Sequence, residues 1–85
     1  MFINVKKLNS KAKLPERATA TSAGADLCAC IDDDVVLMPG DRKLIPTGLA
    51  IAVPTGYGGF VFARSGLSSK FGVSLANCVG VIDSD

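Results

Sequence analysis

At 85 residues the chain is one domain at most, and a domain this small buries so little surface that support from oligomerisation is expected. A hydrophobic fraction of 48% excludes a disordered chain, and a net charge of +1 leaves no field for nucleic acid or an acidic membrane. No apolar run approaches the roughly 18 residues of a membrane span.

The N-terminal MFINVKKLNS carries its apolar residues ahead of its lysines, the reverse of a signal peptide. Phe2 to Lys6 alternates enough to predict a strand, and Lys6, Lys7, Lys11, Lys13 and Arg17 form a solvated basic surface. Leu14-Pro15 and Ala18–Gly24 read as connecting loop. Alternation resumes over Ala25 to Ile31, with Leu27, Ala29 and Ile31 on one face. Asp32-Asp33-Asp34 predicts a turn into a strand at Val35-Val36-Leu37, and Pro39-Gly40-Asp41 a second turn. Arg42–Pro46, Leu49–Val53 and Phe60–Ala63 supply three more strands, with bends at Thr47-Gly48 and Pro54–Gly59. One segment departs from this pattern. SGLSSKFG has Ser65 at the place of an N-cap and Gly72 at the place of a C-cap, with Leu67 and Phe71 four apart, which predicts one short helix. The closing GVIDSD reads as the first arm of a hairpin that delivers Asp83. The pattern is all-β, with one very short helix.

The absence of histidine removes Ser-His-Asp and Cys-His catalysis, and no P-loop occurs. Gly56-Tyr57-Gly58-Gly59 lacks the third glycine of a dinucleotide fingerprint and reads as a turn. Cys28, Cys30 and Cys78 have neither a fourth ligand nor a histidine to make a zinc site. They are expected to be small packing groups in a reducing compartment, which points to the cytoplasm. Asp32-Asp33-Asp34 lacks the spaced oxygen ligands and glycine of a calcium loop.

Arg64-Ser65-Gly66 combines a guanidinium fork, a hydroxyl and a residue without a side chain at a helix start. That combination suits a phosphate, although a plain capping turn has the same residues. Asp83 follows the burial-prone Val81-Ile82, so a sheltered carboxylate able to orient or deprotonate water is expected there, or else a turn aspartate. Asp26 likewise opens a strand and suits a buried, hydrogen-bonded turn position.

Three stretches together, AGADLCA (Ala23–Ala29), ARSGLSSKFGV (Ala63–Val73) and NCVGVIDSD (Asn77–Asp85), resemble the first signature motifs of the trimeric dUTP diphosphatases (dUTPases), in that family's order and spacing. PTGLAIAVPTGYGGFVF between them is similar to the family's connecting strands, so the resemblance covers essentially the whole chain, residues 1–85. It implies a distorted jelly-roll-like barrel (the dUTPase β-clip) that works as a homotrimer, with sites between subunits. It also implies Mg²⁺-dependent hydrolysis of dUTP to dUMP and diphosphate, with no nucleic-acid or membrane partner. By the same resemblance, Arg64, Ser65 and Gly66 contact the triphosphate. Asn77 and the Val81-Ile82 backbone read uracil, beside the deoxyribose. Asp83 is the base that activates water for attack on the α-phosphorus, and Asp26 holds Mg²⁺ through water. Ala25 and Ala63 stand where many relatives carry an aromatic residue and a proline.

The family continues beyond the third motif with a sugar-packing tyrosine, further strands and a glycine-rich C-terminal arm. The expectation is therefore an incomplete dUTPase domain truncated at its C-terminus. Two alternatives follow: a catalytically incomplete nucleotide-binding or structural dUTPase fragment, and a dCTP deaminase relative. The deaminase chemistry needs a glutamate base, and the chain's one glutamate is Glu16, ahead of the first motif.

Overall fold

A computed structural model describes residues 1–85. The order of elements is β1 (Asn4–Lys7), β2 (Leu49–Ala52), β3 (Gly59–Val61), α1 (Ser65–Phe71) and β4 (Gly80–Ile82). Backbone contacts divide the chain into two compact units, Asn4–Ile51 and the remainder, Met1–Ile3 with Ala52–Asp85.

In the Asn4–Ile51 unit, β1 pairs with β2, and the Leu8 N–H extends the contact to the Gly48 carbonyl at 2.7 Å. The tightest packing lies beside that bond. Ala12 is 3% exposed, and a Cβ added to Gly48 would lie 2.9 Å from the Ala12 Cβ and 3.0 Å from the Cys30 Sγ. Gly48 also has φ +69°, so both the space and the left-handed backbone demand glycine there. Cys30 is tied in by its N–H, which donates to the Pro46 carbonyl at 2.8 Å. The Pro39-Gly40-Asp41 turn forms as expected: Asp41 N–H donates to the Met38 carbonyl at 2.9 Å, and the Asp41 carboxylate accepts the Met38 N–H at 2.9 Å.

In the other unit, β3 and β4 run antiparallel in the register Gly59↔Ile82, Phe60↔Val81, Val61↔Gly80. Glycine faces a large apolar residue at both ends of this ladder. A Cβ on Gly59 would lie 3.2 Å from the Ile82 Cβ, and one on Gly80 would lie 3.3 Å from the Val61 Cβ. The pleat therefore has one closely packed face, while the Phe60–Val81 pair stands exposed on the other.

Several expectations change here. Ala25–Ile31, Val35–Leu37 and Arg42–Pro46 form no ladder; Asp26 joins an isolated bridge to Glu16, and the Cys30 N–H bonds the Pro46 carbonyl. Alternation reports a face to be buried, whereas a strand also needs a neighbour for its N–H and C=O groups, and these stretches have almost none within the chain. Within the GVIDSD segment, Gly80–Ile82 forms β4, whose partner is β3, about twenty residues earlier. Of the cysteines, all free, only Cys30 takes part in packing; Cys28 and Cys78 are exposed.

Apolar surface is left uncovered. The chain exposes 7239 Å², about half as much again as the roughly 4,700 Å² of a compact monomer of 8.7 kDa. Leu44 is fully exposed, and Phe2, Phe62 and Phe71 are largely so.

Candidate functional site

The helix start is built differently from its sequence expectation. Arg64, not Ser65, is the N-cap, with φ −80° and ψ 129°, and its carbonyl accepts the first helical bond from Ser68 N–H at 3.0 Å. Ser65 is the first helical residue, and no side chain caps the helix. A cap needs an oxygen on the residue just outside the first turn, and the serine falls one position too late. The first-turn N–H groups are therefore left without a side-chain acceptor, and no acidic residue stands in that turn. Gly66 is exposed, and a Cβ added there would meet nothing within 4 Å. Packing does not ask for glycine at this position.

The other end of α1 matches its expectation. Gly72 is left-handed at φ 67°; its N–H donates to the Ser68 carbonyl at 3.0 Å, and Val73 N–H donates to the Leu67 carbonyl at 3.2 Å. The Ser68 hydroxyl adds a bond to the Val73 carbonyl at 2.8 Å. These bonds stop the helix and turn the chain towards Asn77.

Asn77 lies in an exposed double turn. Cys78 N–H donates to the Leu75 carbonyl at 3.1 Å, and Val79 N–H donates to the Asn77 carbonyl at 2.7 Å. β4 follows at once, and Asp83 is the first residue past its end. The shelter expected around Asp83 does not form within this chain: Val81 is 62% exposed, Ile82 38%, and Asp83 is exposed. With β3 as the only partner of β4, nothing covers the Phe60–Val81 face.

Arg64, Ser65, Gly66, Asn77, Val81, Ile82 and Asp83 thus fall in one compact unit. Asp26 falls in the other, half-buried, where its N–H donates to the Glu16 carbonyl at 2.7 Å. The left-handed backbone at Cys78 was not legible in the sequence, since cysteine carries no turn signal.

Residues 10–85 match the dUTPase family model. The chain belongs to the dUTPase family. It is 52% identical over 83 residues to the deoxyuridine 5'-triphosphate nucleotidohydrolase of Syntrophotalea carbinolica, covering 98% of this chain and 56% of that relative. The enzyme of the same name from Desulfitobacterium hafniense is 60% identical over 74 residues, covering 86% of this chain and 49% of the relative. Among solved structures, a point mutant of the Staphylococcus bacteriophage 80alpha dUTPase superposes with a TM-score of 0.84 at 37% identity, over 98% of this chain and 51% of that one. The all-β dUTPase fold with one short helix follows. The chain spans about half the length of the curated relatives it matches.

Proposed function

We propose that this chain carries the front part of a dUTP diphosphatase site, which hydrolyses dUTP to dUMP and diphosphate. One observation carries the reading: in a chain of this family, the uncapped Arg64-Ser65-Gly66 helix start and the Asn77–Asp83 segment lie in one compact unit. Arg64 supplies bidentate donors to phosphate oxygens. Ser65 and the N–H groups of the first turn add neutral donors, and the open space at Gly66 leaves room for phosphate against the backbone. Asn77 and the backbone at Val81-Ile82 read the donor–acceptor edge of uracil, and cytosine presents the opposite pattern at the same edge. Asp83 takes the proton of the water that attacks the α-phosphorus, a role that depends on position more than on covalent chemistry.

By the family resemblance, Asp26 is the residue assigned to Mg²⁺, through water. No group of three metal-ligating side chains gathers in the chain. This donor set fits an ion that keeps most of its waters and rests on one carboxylate plus substrate phosphates, as Mg²⁺ does. When bound, Mg²⁺ neutralises phosphate charge and eases departure of diphosphate.

We further propose a homotrimeric, cytoplasmic assembly. Its support is the excess exposed surface and the uncovered Asp83, which an adjoining subunit would shelter, together with three free cysteines. No helix is long and apolar enough to cross a membrane.

The test is diphosphate release from dUTP with Mg²⁺, beside Asp83→Asn. A loss of about 10²-fold or more in the variant, with thermal stability unchanged, supports the reading. Equal rates in the two proteins contradict it. A second reading is favoured by the same exposed Asp83: a chain that binds nucleotide without turning it over. A folded chain that binds dUTP but releases no diphosphate decides for that one.

A further inference from the structure

Cys78 is the only residue other than glycine with positive φ, at 67°. The bond from Val79 N–H to the Asn77 carbonyl, at 2.7 Å, closes a three-residue ring around it. A positive φ inside an i to i+2 hydrogen bond defines the rarer, strained form of γ-turn. Cysteine has none of the features that make this conformation easy: it is not glycine, and it lacks the short amide or carboxylate that lets Asn and Asp adopt it. Its thiol is exposed, so no packing of the side chain compensates. Backbone strain without local compensation persists where the surroundings over-determine it, and that is the usual mark of a functional constraint.

The surroundings here are specific. On one side, the β4 register is pinned by Val61↔Gly80, where a Cβ on Gly80 would come within 3.3 Å of the Val61 Cβ. On the other, the Leu75 carbonyl holds the Cys78 N–H at 3.1 Å. Between two fixed ends, the dihedral at Cys78 decides which way Asn77 faces relative to β4. An ordinary negative φ at that point would swing the Asn77 peptide and side chain away while leaving β4 in place.

We propose that Cys78 is a positioning residue for pyrimidine recognition: its left-handed γ-turn aims Asn77 at the base that the Val81-Ile82 backbone also reads. This rests on the dUTP reading above, and it adds a residue and a conformational requirement to it. The prediction is that the dihedral matters and the thiol does not.

The experiment compares the parent chain with Cys78→Gly, Cys78→Asn and Cys78→Val, titrating each with dUMP, dCMP and inorganic diphosphate by calorimetry. Gly and Asn accept positive φ, whereas the β-branched Val does not. Gly and Asn variants are expected to bind dUMP within about twofold of the parent. The Val variant is expected to bind dUMP about tenfold more weakly, the effect of one lost hydrogen-bonded contact, with a reduced preference over dCMP. Diphosphate binding, which uses Arg64 to Gly66, is expected to stay within about twofold throughout and so reports an intact fold. Undiminished dUMP affinity in Cys78→Val overturns the proposal. So does an equal loss of dUMP and diphosphate binding, which marks a merely structural residue. A parent chain that binds none of the three probes overturns the functional reading itself, and this inference with it. Dependence on the thiol, seen as weak dUMP binding by both Gly and Asn variants, also contradicts the proposal.

Discussion

Glycine does opposite things in the two units of this chain. At Gly48 the protein is at its tightest: Ala12 and Cys30 crowd the position to about 3 Å, and the backbone is left-handed. At Gly66, on the first turn of α1, a side chain would meet nothing within 4 Å and φ is ordinary. The first glycine is explained by packing and backbone conformation together. The second has no packing or backbone reason to be glycine, and it lies beside Arg64 at a helix start that no side chain caps. The contrast separates a glycine that the fold requires from one that it does not.

The comparison is broken or sharpened by substitution. The largest effect is expected from Gly48→Ala, which adds both steric overlap and left-handed strain. A loss of about 2–4 kcal/mol in urea unfolding is expected, enough to unfold a marginal domain of this size. Stability unchanged by that substitution would mean that the Ala12–Cys30–Gly48 contact is not the tight point described above. Gly66→Ala sharpens the contrast from the other side. It should leave the unfolding midpoint unchanged or raise it by up to about 1 kcal/mol through helix propensity. Binding of inorganic diphosphate should nevertheless weaken, by about tenfold if the methyl displaces one phosphate contact. The smallest effect is expected at the exposed Lys11–Asp32 pair, 2.9 Å apart, where Lys11→Ala should change stability by less than about 1 kcal/mol and less still in high salt.

Local chemistry was the part most legible in the sequence. Pro39-Gly40-Asp41 announced its turn and Gly72 its helix end, because each residue there acts through its own backbone or the next few positions. The β2 strand was legible within one residue. Long-range pairing was not. Nothing in Gly80-Val81-Ile82 names Gly59–Val61 as its partner, and the alternating stretches from Ala25 to Pro46 read as strands although the chain supplies them almost no neighbours. The candidate site residues were named through the resemblance to the family's motifs. Their exposure was not legible, because Val81-Ile82 signals burial whether the cover comes from the same chain or from another. The turn at Cys78 left no trace at all, since its dihedral is imposed by the bonds at Leu75 and Asn77 and not by the cysteine.

The most direct test of the central claim follows the phosphorus. The chain is incubated with dUTP and Mg²⁺ in ¹⁸O-water, and products are read by ³¹P NMR. Hydrolysis through a water positioned by Asp83 at the α-phosphorus predicts dUMP and diphosphate in equal amounts, with the label in dUMP. Formation of dUDP and orthophosphate, label in the diphosphate, or intact dUTP after long incubation with a folded chain would contradict it.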